Sequence, residues 1–329
     1  MSVPVIAFFN NKGGVGKTSM VYHVSWMFAE RGIRVIAADF DPQCNLSAAF
    51  VDEDRLEQVM WVKDQRSTIF GAVQPLMRAL GDVRDPHVEI ISENLGLILG
   101  DMAVTAFEDQ LSEVWPKCLD RDERAFRVTS AFWRIAQKAA EQHGADVILV
   151  DLGPNLGAIN RAALIAAEYV VIPLGPDLFS LQGLRNLGPA LGRWREGWKE
   201  RLTKNPVPDL ELPSGEMKPI GYVMLRHSIR LDHPVKSFER WIERMPSTYR
   251  QYVLGSSQRS KVTIDNDPNC IAKLRDYRSL MPLAQEARKP MFFLKPADGA
   301  LGAHTLAAGH AYKDFEAVAV EITSRAGLE

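Results

Sequence analysis

Cysteine is scarce: three residues in 329, Cys44, Cys118 and Cys270, lie far apart. An odd and scattered set supplies neither a disulfide framework nor a Cys-x-x-Cys metal site, so reduced and chemically bland thiols are expected. Long apolar runs are missing as well. No stretch of about 18 uncharged apolar residues occurs, which argues against a membrane-spanning helix. The opening residues run into a strand-like segment instead of a basic-then-apolar export signal, and a cytoplasmic location is the expectation. Net charge is almost absent, -2 from 39 Lys and Arg against 41 Asp and Glu, so the total carries no signature of a nucleic-acid binder.

The charge is nevertheless unevenly spread. Val51 to Ala125 holds 16 acidic and 8 basic residues, whereas Arg226 to Lys289 holds 13 basic and 7 acidic ones, so a basic face can hide behind a neutral sum. With 46% hydrophobic residues the chain can bury a sizeable core. We read residues 1–329 as a single domain with an acidic elaboration at 51–90 and a basic one at 226–276. Neither shows an internal repeat, and the proline-rich piece from Asn205 to Pro219 reads as an exposed connector.

Val3 to Phe9, Ile33 to Ala38 and Val147 to Val150 are apolar, β-prone runs separated by helical lengths such as Thr18 to Arg31 and Ala158 to Glu168. Leu95 to Leu99, Tyr169 to Ile172, Ile220 to Leu225 and Met291 to Leu294 are further strand candidates. Strands apolar on both sides imply a mostly parallel, doubly wound α/β sheet with helices on both faces. Its binding crevice lies beyond the carboxyl ends of the strands. Asp39 and Asp41 follow the second run, Asp151 follows the third, and a Gly-rich turn follows the first, so all four should converge.

That turn is Asn11-Lys12-Gly13-Gly14-Val15-Gly16-Lys17-Thr18. A nucleoside triphosphate packs several negative charges together, and a strand, a glycine turn and a helix N-terminus present inward-facing N–H groups to them. In the G-K-[ST] ending, Lys17 would hold the β- and γ-phosphates and the Thr18 hydroxyl would ligate Mg²⁺. Gly13, Gly14, Val15 and Gly16 would line the cradle and Ser19 would reach the α-phosphate. ATP and Mg²⁺ are the expected ligands.

With Lys12 in place the turn resembles the deviant phosphate loop K-G-G-x-G-K-[ST] of the ParA/MinD family of P-loop ATPases. Ala37 to Ser47 (A-A-D-F-D-P-Q-C-N-L-S) resembles that family's D-x-D-P-Q segment, and V-I-L-V-D-L-G-P (Val147 to Pro154) its Walker B with D-x-P-P, Gly153 standing in place of the first proline. Ala166 to Leu184 continues the resemblance, which covers Val3 to Phe50 and Leu95 to Leu187 well and Leu280 to Ile322 more loosely. It implies that Asp41 orients the attacking water, that Asp151 holds Mg²⁺ through water and that Asp39 supports the metal. It also implies that Lys12 reaches the partner's nucleotide in an ATP-dependent homodimer. Asp267 and Pro268 are candidate rim residues of the adenine pocket.

Members of that family bind DNA, membrane, a metal cluster or another enzyme. Tyr312 to Glu329 is acidic and alanine-rich, unlike a basic membrane-binding helix, and Cys44 is the one cysteine near the switch segments, which disfavours a cluster. Non-specific DNA binding is the leading expectation, with Arg185, Arg226, Arg230 and Arg240 as candidate contacts, an adaptor or activating protein as a further partner, and nucleoid association as the consequence. The alternative is a nucleotide-gated regulator of a protein cargo without DNA contact of its own.

Overall fold

The computed structural model describes residues 2–61, 67–227, 236–257, 262–277 and 279–328. Eight strands, β1 (Val5–Phe8), β2 (Val35–Asp39), β3 (Glu89–Ser92), β4 (Leu95–Ile98), β5 (Val147–Asp151), β6 (Tyr169–Leu174), β7 (Lys218–His227) and β8 (Cys270–Arg275), form one sheet ordered β3-β4-β2-β5-β1-β6-β7-β8. Every neighbouring pair is parallel except β3 with β4 at one edge. Side chains alternate across a strand, so Val5, Ala7 and Phe9 enter one apolar cluster while Ile6 and Phe8 enter another. Two cores, one on each face, explain why the central strands read as unbroken apolar runs.

Around the first core pack α4 (Ile69–Met77), α5 (Glu108–Lys117), α6 (Glu123–Thr129), α7 (Ala131–His143), α8 (Ala158–Ile165) and α9 (Leu178–Leu202). Around the second pack α1 (Lys17–Glu30), α2 (Asn45–Phe50), α3 (Glu53–Met60), α12 (Met281–Ala287) and α13 (Ala303–Ala326). Short helices α10 (Lys236–Ile242) and α11 (Met245–Thr248) precede a π-helical turn, Tyr249–Val253, that lies against α9. Gly188 permits that contact, because a Cβ there would fall 1.8 Å from the Tyr252 carbonyl oxygen.

The doubly wound parallel architecture is the one expected from the sequence. Two local expectations fail. Met291 to Leu294 is not a strand: Pro290 and Pro296 flank it, neither can donate to a ladder, and Met291–Phe293 closes a 3-10 turn with Phe293 N–H on Pro290 O at 2.8 Å. The basic segment 226–276 is not wholly an elaboration either, since it contains β8, an edge strand paired to β7. Its alternating burial, with Ile271 and Leu274 inside and Lys273 and Arg275 outside, disguises it in a charged stretch. No helix among the described residues is long and apolar enough to cross a membrane.

Candidate functional site

β1 ends at Phe8, beside Asp151 in register, and Asp39 stands beside Asp151 on the other side. Three parallel strands thus deliver the glycine turn and the acids to one crevice. Asn10 sets the turn's shape: its amide donates to Pro173 O at 2.8 Å, and its Oδ1 accepts the Lys12 N–H at 3.1 Å. Gly14 (φ 67°) and Gly16 (φ 100°) take left-handed conformations that disfavour other residues, and Gly16 caps α1. The loop therefore opens its amides at a helix N-terminus, where backbone partial charge favours an anion.

Lys17 begins α1 and is buried, with its ammonium 3.3 Å from Lys12 O. Burial lowers its pKa, against the opposing influence of Asp151 and Asp41. Asp39 and Asp151 are wholly buried and Asp41 nearly so. Burial pushes the Asp151 carboxyl up to about 8, aided by Asp39, and that of Asp39 up to about 7 in spite of its hydrogen bonds to Ser47. Asp39 Oδ2 accepts from Ser47 N (2.8 Å) and Oγ (2.7 Å). Among the described residues Asp39 Oδ1 and both Asp151 oxygens meet no hydrogen-bond partner, although the Thr18 hydroxyl lies near enough to favour the charged Asp151. Carboxylates buried without partners are costly, so this cluster fits a divalent cation shared with ligand oxygens. Among the described residues no three His, Cys, Asp or Glu side chains form a metal cage by themselves.

Gly13 to Ser19 and Asp41 line one side of a cavity of about 990 Å³, large enough for a nucleotide. The far side is built by Arg275, Tyr277, Gln285, Met291 and Phe315, from the C-terminal elements. Asp267 does not line it. That carboxylate is buried elsewhere, on the Tyr222 hydroxyl and the Arg250 guanidinium, both at 2.8 Å. The sequence analysis puts that rim just before β8, whereas the cavity is lined from the end of β8, by Leu274 and Arg275.

Lys12 turns away from the cradle to pair with Asp177, the N-cap of α9. Of the candidate DNA contacts, Arg185 is exposed on α9 over the Tyr252 ring, and Arg240 is exposed on α10 against Trp241. Arg226 ends up near the finish of β7 and Arg230 lies outside the described residues. Arg195, Arg201 and Arg250 are structural: they donate to Glu216 O and Met217 O, to Trp115 O and Gly197 O, and to Asp267.

Sequence reasoning misses Asp101 and His23. Asp101 follows β4 as the other acids follow their strands, a signal the pattern does contain; its oxygens accept from Thr68 Oγ1 and Ala103 N. His23 is buried on α1, Nδ1 to Ser19 O at 2.7 Å, and Nε2 accepting Met291 N–H at 3.2 Å, so it ties the phosphate end of the cavity to the far side. Burial lowers its pKa from 6.5 to about 4, so the folded chain keeps it neutral where an unfolded chain is protonated. Stability is therefore expected to fall as pH drops through that window, with this group contributing at most about 1.4 kcal/mol per pH unit. Urea unfolding across the window should show a shallower decline for His23→Gln; identical slopes would remove His23 as the cause.

A family model described as an AAA domain matches residues 3–204. IncC of Escherichia coli is 32% identical over 192 residues, 57% of this chain and 45% of that protein. The chromosome-partitioning ATPase Soj of Thermus thermophilus is 29% identical over 202 residues, 60% of this chain and 65% of Soj. The chain thus spans about half to two thirds of these relatives. In fold it is similar to DIP2308 of Corynebacterium diphtheriae (TM-score 0.72, 22% identity, 98% of each chain) and to apo McdA of Cyanothece (TM-score 0.62, 14% identity, 97% and 99%). With the phosphate loop, the acids at the strand ends and a family match over more than half its length, the chain belongs to the AAA domain family as a P-loop ATPase of the ParA/MinD type.

Proposed function

We propose that this chain is a Mg²⁺-dependent ATPase switch of the partitioning kind, which dimerises around ATP and binds DNA without sequence preference. The observation that carries the ATPase reading is the set of buried groups at one crevice: the Lys17 ammonium facing Asp41 and Asp151, with Asp39 alongside. Lys17 and the loop amides would hold the β- and γ-phosphates, while Asp41, whose Oδ1 accepts the Gln43 N–H at 3.0 Å, would orient the attacking water. Thr18 and Asp151 would hold Mg²⁺, directly and through water, with Asp39 behind them; the ion supplies charge neutralisation on the phosphoryl oxygens. Positioning and charge are most of what phosphoryl transfer requires.

The DNA reading is supported by cations left over after the structural ones are removed. Arg185, Arg193 and Lys199 are exposed on α9, and Arg240 and Arg244 flank Trp241 on α10 and just beyond; none pairs with a carboxylate among the described residues. Soj, named as a chromosome-partitioning ATPase, is consistent with that role. The test is retention of the Mg²⁺- and ATP-loaded protein on random duplex DNA across a salt series. Arg185→Glu with Arg240→Glu is expected to weaken binding alike for all sequences and to flatten the log–log salt slope by roughly 0.9 for each phosphate no longer neutralised. Unchanged affinity and slope would favour a regulator of a protein cargo instead.

A further inference from the structure

We infer that His23 is the positioning residue for the nucleoside end of the ligand: it hangs the Met291 wall of the cavity from the helix that begins at the phosphate cradle. The inference rests on the ATPase reading above. His23 is buried on α1 among aromatic and aliphatic side chains of the second core. Its ring stacks on Phe315 of α13, with 4.8 Å between centroids and 19° between planes, and meets Phe292 and Tyr22 edge-on. A leucine would suit such surroundings, and a buried polar ring is costly there unless its nitrogens are paired. Here both are paired, in opposite senses.

A backbone amide can only donate, so Nε2 accepts the Met291 N–H at 3.2 Å, and the ring proton then sits on Nδ1, which donates to Ser19 O at 2.7 Å. Only the neutral ring in this one tautomer satisfies both contacts. Met291 needs an acceptor from outside, because it opens the 3-10 turn Met291–Phe293 and no carbonyl of that turn is placed to take its N–H. Ser19 lies in the first turn of α1, directly after Thr18, and Ser19 and Met291 both line the cavity. A single imidazole thus fixes the spacing between the cradle and the far wall. A triphosphate held at the loop amides leaves the rest of its nucleotide to cross that spacing toward Met291 and Phe315. The phosphates themselves do not reach the wall.

Inorganic tripolyphosphate carries the charged part of ATP without the nucleoside, so the ratio of the two affinities isolates the wall. The experiment measures dissociation constants of both by calorimetry, with Mg²⁺, for the parent, His23→Asn and His23→Gln. An asparagine amide reaches the place of Nδ1 and keeps the Ser19 contact, but leaves Met291 without its acceptor. A glutamine amide reaches the place of Nε2 and restores it. His23→Asn is expected to lower ATP affinity by about tenfold, the size of one hydrogen bond, with tripolyphosphate affinity within about twofold of the parent. His23→Gln should return the ratio to within about threefold of the parent's. Equal losses for both ligands in His23→Asn would make His23 a packing residue and overturn the inference, as would an unchanged ratio. Should that variant fail to fold, His23→Leu, which packs but accepts nothing, takes its place with the same outcomes. A parent that binds ATP no more tightly than tripolyphosphate overturns the inference and leaves the phosphate site standing, whereas a parent that binds neither overturns the ATPase reading itself.

Discussion

A Lys17→Ala protein is expected to fold normally and to lose ATP affinity by about a hundredfold or more, because the substitution removes a cation from a crevice that otherwise holds acids. Asp39, Asp41 and Asp151 would then face the triphosphate with only backbone dipoles and the proposed Mg²⁺ ion to offset them. Folding should not suffer. The ammonium is buried, burial disfavours its charged form, and its hydrogen bond to Lys12 O is long, at 3.3 Å. Thermal melting near the parent's, together with absent heat of ATP binding in calorimetry, is the expected pair of results. Asp41→Ala should separate binding from chemistry in the opposite way, keeping ATP affinity while phosphate release falls, since the acid acts on the attacking water and the cradle is intact. Unchanged ATP affinity in Lys17→Ala would contradict the site assignment directly.

The parts of this site that are legible in the sequence are those set by local backbone geometry. A glycine turn between an apolar strand and a helix has few conformations open to it, and an acid directly after an apolar strand in a parallel sheet must emerge at the carboxyl edge. Hence Gly13 to Thr18, Asp39, Asp41 and Asp151 fall where the pattern places them. What the pattern hides depends on contacts across long sequence separations. Asp177 meets Lys12 from 165 residues away, and His23 meets Met291 from 268. The far wall of the cavity belongs to segments whose own periodicity is weak, so Asp267 is an attractive choice by position alone, and its burial against Tyr222 and Arg250 shows why it fails. Charge counting is limited for the same reason. Arg195, Arg201 and Arg250 add to the count of basic residues, yet each spends its donors on a specific carbonyl or carboxylate.

Lys12→Ala is expected to keep ATP affinity in the monomer within a few-fold while losing ATP-dependent dimerisation and most hydrolysis. In this structure the side chain does not serve its own cradle. Its ammonium lies 2.5 Å from Asp177 Oδ2, and Asp177 Oδ1 accepts the N–H groups of Phe179 and Ser180 as the cap of α9. Burial works to raise the Asp177 carboxyl, but Lys12 and the helix amides prevail and hold it below its ordinary value. Both side chains are partly exposed, and pairs of that kind contribute up to about 1 kcal/mol. A partner subunit's triphosphate, with several charges close together, is a stronger attractor. The lysine can therefore be exchanged between Asp177 in the free chain and a nucleotide across a dimer, supplying in trans the charge an arginine finger supplies elsewhere. If dimer and ATP are coupled in this way, each must strengthen the other's binding. Asp177→Asn sharpens the test: asparagine caps a helix as well as aspartate does, so α9 stays intact while Lys12 loses its competing partner. Dimerisation at a given ATP concentration should then increase, by up to about fivefold, as followed by light scattering, with phosphate release measured alongside. A Lys12→Ala protein that dimerises with ATP and turns it over at the parent's rate would leave the phosphate loop standing and the switch without its trans-acting charge.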